Sequence, residues 1–193
     1  MELMEELERY QPWNEQEERD RAEILRRLKS GEELYGRENL SAHLTSSAWV
    51  VSPDRQRVLL AYHNLYDSWA WLGGHADGER DLLAVALRET REESGLEAVR
   101  PVSERVYSVE ILTVDGHEKR GRYVSSHLHL NVTYLVELDD CQPLHNRPGE
   151  NSRVAWFPPE EAVAASTEPW FRERVYAKLN RRLAEFIRRE RQG

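Results

Sequence analysis

Three glutamates, Glu89, Glu92 and Glu93, stand close together just ahead of Gly95. The run from Asp81 to Ser94 reads as a helix. At 100° per residue it places the three carboxylates within about a 100° arc, so they crowd one face. They also occupy the last turns, where the helix dipole is negative and an anion loses roughly 0.3–1 kcal/mol. Glu89 and Glu93 repel further at i,i+4, by roughly 0.2–0.5 kcal/mol. Arg88 reaches Glu92 at i+4 and offsets part of this. Local rules broken together mark a functional site more often than an accident. Hard oxygen ligands grouped this way suit Mg2+ or Mn2+. Taken alone, the acidic triplet would read as the solvated face of an ordinary charged helix.

The triplet does not stand alone. Gly73-Gly74 precedes it, and Gly74 lies fourteen residues before Arg88. That spacing resembles the signature of the Nudix hydrolases: Gly, five residues, Glu, seven residues, Arg-Glu, an apolar residue, any residue, Glu-Glu, any residue, Gly and an apolar residue. Gly74, Arg88, Glu89, Glu92, Glu93, Gly95 and Leu96 match it. With each fixed type at about 6%, a chance match of the first six somewhere in the chain has a probability on the order of 10⁻⁵. Two positions depart from the pattern. Arg80 takes the place of the first Glu, flanked by Glu79 and Asp81, and Thr90 stands where an aliphatic residue is usual. In the family the first Glu steadies the loop while the later three hold metal, so the departure bears on loop geometry.

The resemblance implies an α/β fold: a Nudix-type α/β/α sandwich with a mixed β-sheet, preceded here by an N-terminal helical extension. Residues 1–40 form the extension and residues 41–193 the domain with its C-terminal helix. It implies divalent-metal-dependent hydrolysis of a diphosphate linkage in a nucleoside diphosphate joined to another moiety, by water attack at phosphorus. Glu89, Glu92 and Glu93, with the Gly73 carbonyl, would hold Mg2+ or Mn2+. Arg88 would orient the carboxylates, and one of the glutamates would act through water as general base. A further acid from a loop near the last strand is usual in the family, and Glu150 is the best placed. Two rival readings share the fold. One is a catalytically silent domain that binds a nucleotide or nucleotide sugar as a sensor; such domains usually lose catalytic acids, and here all three remain. The other is isomerisation of a prenyl diphosphate, which requires a catalytic cysteine, whereas Cys141 sits in a loop-like Asp-Asp-Cys-Gln-Pro stretch.

Beyond the motif, His127 and His129 alternate along a predicted strand and share a face with Asn131. Two histidines at i,i+2 can share zinc, but a polar, cleft-lining face that touches substrate is the plainer reading. His75, directly after Gly73-Gly74, is a second candidate for substrate contact. Arg122 is a third, within the basic run Lys119-Arg-Gly-Arg122, which also reads as a solvated hairpin tip. Trp49, Trp156 and Trp170 are expected in the core.

Positioning these residues requires a definite set of elements. Asn14-Glu-Gln-Glu17 fits a capping box, opening an amphipathic helix over 15–30. Residues 44–51 and 57–63 read as paired strands around a Ser52-Pro53-Asp54 turn. Further strands are expected over 106–114, 121–124, 128–138 and 154–157, with Asp115-Gly116 as a hairpin turn. A short helix follows over 160–165. Phe171, Val175, Leu179, Leu183 and Phe186 then mark a long amphipathic C-terminal helix.

The chain has 193 residues and a formal net charge of −8. That length suits one domain with an appendage. The acid excess argues against generic nucleic-acid binding, which needs a basic footprint. No segment approaches the roughly 18 apolar residues of a membrane span. The acidic N-terminus lacks the apolar core of a secretory signal, and a single cysteine forms no internal disulfide, so a cytoplasmic setting is expected. The expected partner is a small nucleotide-derived diphosphate. Helix 15–30 is free to cover a sheet edge or to meet a second copy in a homodimer.

Overall fold

The computed structural model describes residues 2–119, 121–147 and 151–192. Two helices come first, α1 (Leu3–Arg9) and α2 (Glu15–Lys29). The strands β1 (Ala42–Val51), β2 (Val58–His63), β3 (Ser68–Ala70) and β4 (Leu72–His75) lead into α3 (Leu82–Ser94). Then follow β5 (Arg100–Pro101), β6 (Ser108–Val114), β7 (His117–Lys119), β8 (Arg122–Val124), β9 (His127–Glu137) and β10 (Asn151–Phe157). The chain ends in α4 (Pro159–Ala165), a π-helical segment over Phe171–Tyr176 and α5 (Ala177–Glu190).

The main sheet has the order β10-β2-β1-β9-β5, with β3 on β2, β4 on β1 and β6 on β9. It is mixed. β2 is antiparallel to both β1 and β10, and β9 is antiparallel to β5 and β6. Between β1 and β9 the register climbs in step: the Leu128 N–H donates to the Ser41 carbonyl at 2.9 Å and the Leu138 N–H to the Val51 carbonyl at 3.1 Å. Those two strands therefore run parallel.

The chain divides into two compact units: Met1–Ser47, Gly73–Ala86 and Ser103–Tyr134 in the first, Ala48–Leu72, Leu87–Val102 and Leu135–Gly193 in the second. In the first unit α2 serves the edge strand β6. Asn14 caps α2, its Oδ1 accepting the Glu17 N–H at 2.9 Å, as the capping box predicts. Asp20 accepts the Ile111 N–H of β6 at 3.1 Å. Glu17 is fully buried and accepts from the Tyr10 hydroxyl (2.7 Å), the Trp13 N–H (2.6 Å) and the Ser108 hydroxyl (2.7 Å). A buried carboxylate is tolerated because donors surround it. Leu7, Ile24 and Leu34 are buried completely, so the helical extension carries part of this unit's core.

Asp115-Gly116 does not make the expected hairpin. β6 pairs directly with β9, from Ser108↔Thr133 to Val114↔His127. β7 and β8 instead pair with each other as a separate two-stranded ribbon. The Gly116 N–H is taken by the Ser126 hydroxyl at 2.9 Å, closing the base of the ribbon. Gly121, at φ +72°, supplies the left-handed residue of the ribbon's turn.

In the second unit, β2 lies between its β1 segment and β10, and Arg55 bridges to Glu137 at 2.6 Å. The fully buried Trp49 stacks on Tyr176 at 5.5 Å. Trp156 is half-buried, and Trp170 is 45% exposed, so the latter leaves the core assigned to it. Trp170 immediately precedes the π-helical turns, which carry Val175 and Tyr176 rather than the tryptophan into the interior. Among the described residues, no helix is long and apolar enough to cross a membrane.

Candidate functional site

Local sequence builds α3 from both ends. Asp81 caps it, its Oδ1 accepting the Ala84 N–H at 3.0 Å, and Glu79 in turn accepts the Asp81 N–H at 2.9 Å. These two acids, which flank the anomalous Arg80, organise the start of the helix. Arg80 itself turns away, its guanidinium 4.8 Å from the centre of the Tyr35 ring. The loop ahead of the helix is tied within the first unit: the Gly78 N–H donates to Tyr35 O at 2.9 Å, and Arg37 grips Asp77 at 2.5 Å. At the far end Gly95 adopts φ +72°, the left-handed closure the motif predicts. A Cβ there would also meet the His145 Cβ at 2.6 Å, so glycine is required twice over.

The last turns of α3 present the carboxylates, and the second unit surrounds them with cations. Arg88 Nη2 lies 2.8 Å from Glu89 Oε1, and its Nε is 4.0 Å from Glu92. Arg147 Nη1 lies 2.5 Å from Glu92 Oε2 and 3.8 Å from Glu89 Oε2. One guanidinium nitrogen is thus shared by two carboxylates. The Glu89 side chain is 13% exposed against 39% for Glu92, so the pair grades from a sheltered to an open position. Glu93 is buried; the Asn151 side chain donates to its backbone carbonyl at 3.4 Å. Sequence reasoning missed Arg147. It stands 55 residues from Glu92, and only the fold brings it to α3. Glu150 lies outside the described residues.

Glu89 and Glu92, which share one positive nitrogen, are the two box carboxylates that the structure brings together, and their oxygens are donors a hard divalent cation takes. Oxygen-only donors with unbalanced negative charge are what Mg2+ and Mn2+ take.

The remaining expected residues belong to the first unit. Gly73 lies on β4, where a Cβ would come within 2.6 Å of Ser46 O; only glycine allows that approach. His75 ends the same strand, His127 and His129 start β9, and all three gather around His43 of β1. Their rings are 4.8–5.1 Å apart by centroid. Burial, with the neighbouring histidines, drives the His129 imidazole down to about 2, and burial also lowers His43. Both rings are therefore neutral at physiological pH. His43 was not singled out from sequence: it stands alone in Ala-His-Leu, and only strand pairing brings it to the others. Asn131, on the same face of β9, is buried and accepts from the Thr45 and Ser47 hydroxyls at 3.0 and 2.9 Å. Arg122 stands exposed on β8, apart from these groups on the ribbon.

Solved structures with this fold include the Ap4A hydrolase of C. elegans in a binary complex, 17% identical, with a TM-score of 0.51 over 75% of this chain and 96% of that one. The E. coli dihydroneopterin triphosphate pyrophosphohydrolase is 14% identical, with a TM-score of 0.53 over 76% of this chain and 97% of its own. RenU, a Nudix hydrolase from M. smegmatis, is 15% identical, with a TM-score of 0.50 over 75% and 85%. No curated protein sequence matches. The NUDIX domain family matches residues 42–179, which span β1 to α5 and include every element of the box. With that match and the signature on α3, the chain belongs to the Nudix hydrolase family.

Proposed function

We propose that the chain hydrolyses a diphosphate linkage in a nucleoside diphosphate joined to another group, by water attack at phosphorus and with Mg2+ or Mn2+ held by Glu89, Glu92 and Glu93. One observation carries this reading: Glu89 and Glu92 share a single cationic nitrogen of Arg147 at the open end of α3. Carboxylates arranged to hold a charge in common are arranged to hold an ion. When bound, the divalent cation neutralises charge developing on the phosphate oxygens and lowers the pKa of a coordinated water.

The chain's own residues supply the rest. Arg88 fixes the Glu89 carboxylate through its 2.8 Å contact with Oε1, and Oε2 lies 3.8 Å from Arg147. The greater exposure of Glu92 supports it as the acid that accepts the proton of the attacking water. Glu93, enclosed, holds position rather than exchanging with solvent.

The test is a panel of nucleotide-linked diphosphates with Mg2+ or Mn2+, scored for release of a phosphorylated product. We expect metal-dependent turnover, and Glu92→Gln or Glu93→Gln to lower kcat by roughly 10²- to 10⁴-fold. Full rates in both variants would overturn the assignment.

A further inference from the structure

Four of the five histidines of the first unit form a cluster that the diphosphate chemistry does not account for. His43 (β1), His75 (β4) and His129 (β9) each offer a ring nitrogen, and these three nitrogens all lie within 4.8 Å of one another. His127 stands beside them, its Nε2 at 3.2 Å from His129 Nε2.

The tautomers follow from the outer hydrogen bonds. His43 Nδ1 lies 3.1 Å from Asn39 O, and His127 Nδ1 lies 2.8 Å from Ser125 O. A carbonyl only accepts, so each Nδ1 carries the proton and each Nε2 turns a lone pair inward. The His43 Nε2 lone pair is buried and has no hydrogen-bond partner, on a residue only 5% exposed. A buried acceptor left bare is uncommon, and an ion is one group that satisfies it. The backbone carbonyls behind Nδ1 are the outer support that metal-ligating histidines ordinarily have.

The 4.8 Å span of the three nitrogens is one that side-chain rotation can close on an ion. Metal–nitrogen bonds of about 2.0–2.1 Å at a tetrahedral angle set ligand nitrogens about 3.3 Å apart. His127 and His129 already stand at 3.2 Å, where the His127 Nε2 lone pair takes either the His129 Nε2 proton or an ion. The charges nearest by, Arg37 and Asp77, are paired at 2.5 Å and largely cancel.

We propose that His43, His75 and His129, with His127 completing the set, form a second metal site, selective for a borderline transition dication such as Zn2+ rather than for Mg2+. All-imidazole donors prefer such ions, whereas the box carboxylates prefer hard ones. The site joins β1, β4 and β9 at the residue from which the box loop departs. It does not depend on the diphosphate reading.

Metal-stripped full-length chain is titrated with Co2+ in excess Mg2+, and the visible d–d absorption is followed. We expect one equivalent bound with tetrahedral bands, displaced by Zn2+, and a higher Tm once Zn2+ is added. His43→Ala or His129→Ala should weaken uptake by at least about 10- to 100-fold, while Glu92→Gln leaves it intact. His75→Asn, at a half-buried position, serves if a buried variant fails to fold. Absence of stoichiometric uptake, or uptake that survives loss of the histidines, overturns the proposal. Uptake lost in Glu92→Gln would likewise overturn it, by assigning the ion to the carboxylates.

Discussion

Arg147 takes a share of the negative charge on Glu89 and Glu92, and a divalent cation at the same carboxylates competes with it. Removing the guanidinium therefore has two opposite effects. Without metal the acids lose a counter-charge; the partly exposed pair contributes about 0.2–1 kcal/mol, so Arg147→Ala lowers Tm slightly in a chelator. With metal the competitor is gone, and the Mg2+ concentration needed for half-maximal activity falls. A thermal melt and a Mg2+ titration of the same variant check both halves, and a rise in the Mg2+ requirement would contradict the competition. At this scale the sequence was legible where chemistry is local. The glutamates, Arg88 and Gly95 could be placed because one helix carries them and its periodicity is read directly. Arg147 and His43 could not, because each reaches its partners only through strand pairings and loops that close across long stretches of chain.

Among the elements, α2 shows how a helix outside the family match becomes integral to the fold. Its Glu17 gathers three donors from Tyr10, Trp13 and Ser108, and its Asp20 takes a backbone N–H of the edge strand β6. The capping box announced where α2 begins, yet nothing local said which strand it would cover. Glu17→Ala removes from a buried position the acceptor that these three donors share. We expect a loss of at least about 1–3 kcal/mol in urea unfolding, with Tyr10→Phe costing less because it removes one partner and leaves the carboxylate two. The ribbon was misplaced for a related reason. Asp115-Gly116 has the composition of a tight turn, but the pairing of β6 with β9 overrides it and moves the turn to Gly121.

For the molecule as a whole, pH acts through groups in both units. Burial raises the carboxyl of Glu6, which accepts the Val106 N–H at 2.7 Å, and burial likewise raises Glu168. An acid raised in the folded state binds more protons folded than unfolded. Its contribution is therefore complete below about 4.5 and disappears as pH climbs through the folded value. Glu6→Gln and Glu168→Gln should each flatten the decline of stability between pH 4.5 and neutrality, measured by urea unfolding across that range. A slope unchanged in both variants would assign the decline to other groups. The contact between Glu17 and Ser108 has a separate consequence, one of timing: its partners are 91 residues apart. At about 5–20 residues per second, ribosomes expose the helical extension roughly 5–18 seconds before the strand that receives it. A segment made early thus docks late, and during that interval a carboxylate destined for the interior stays in water.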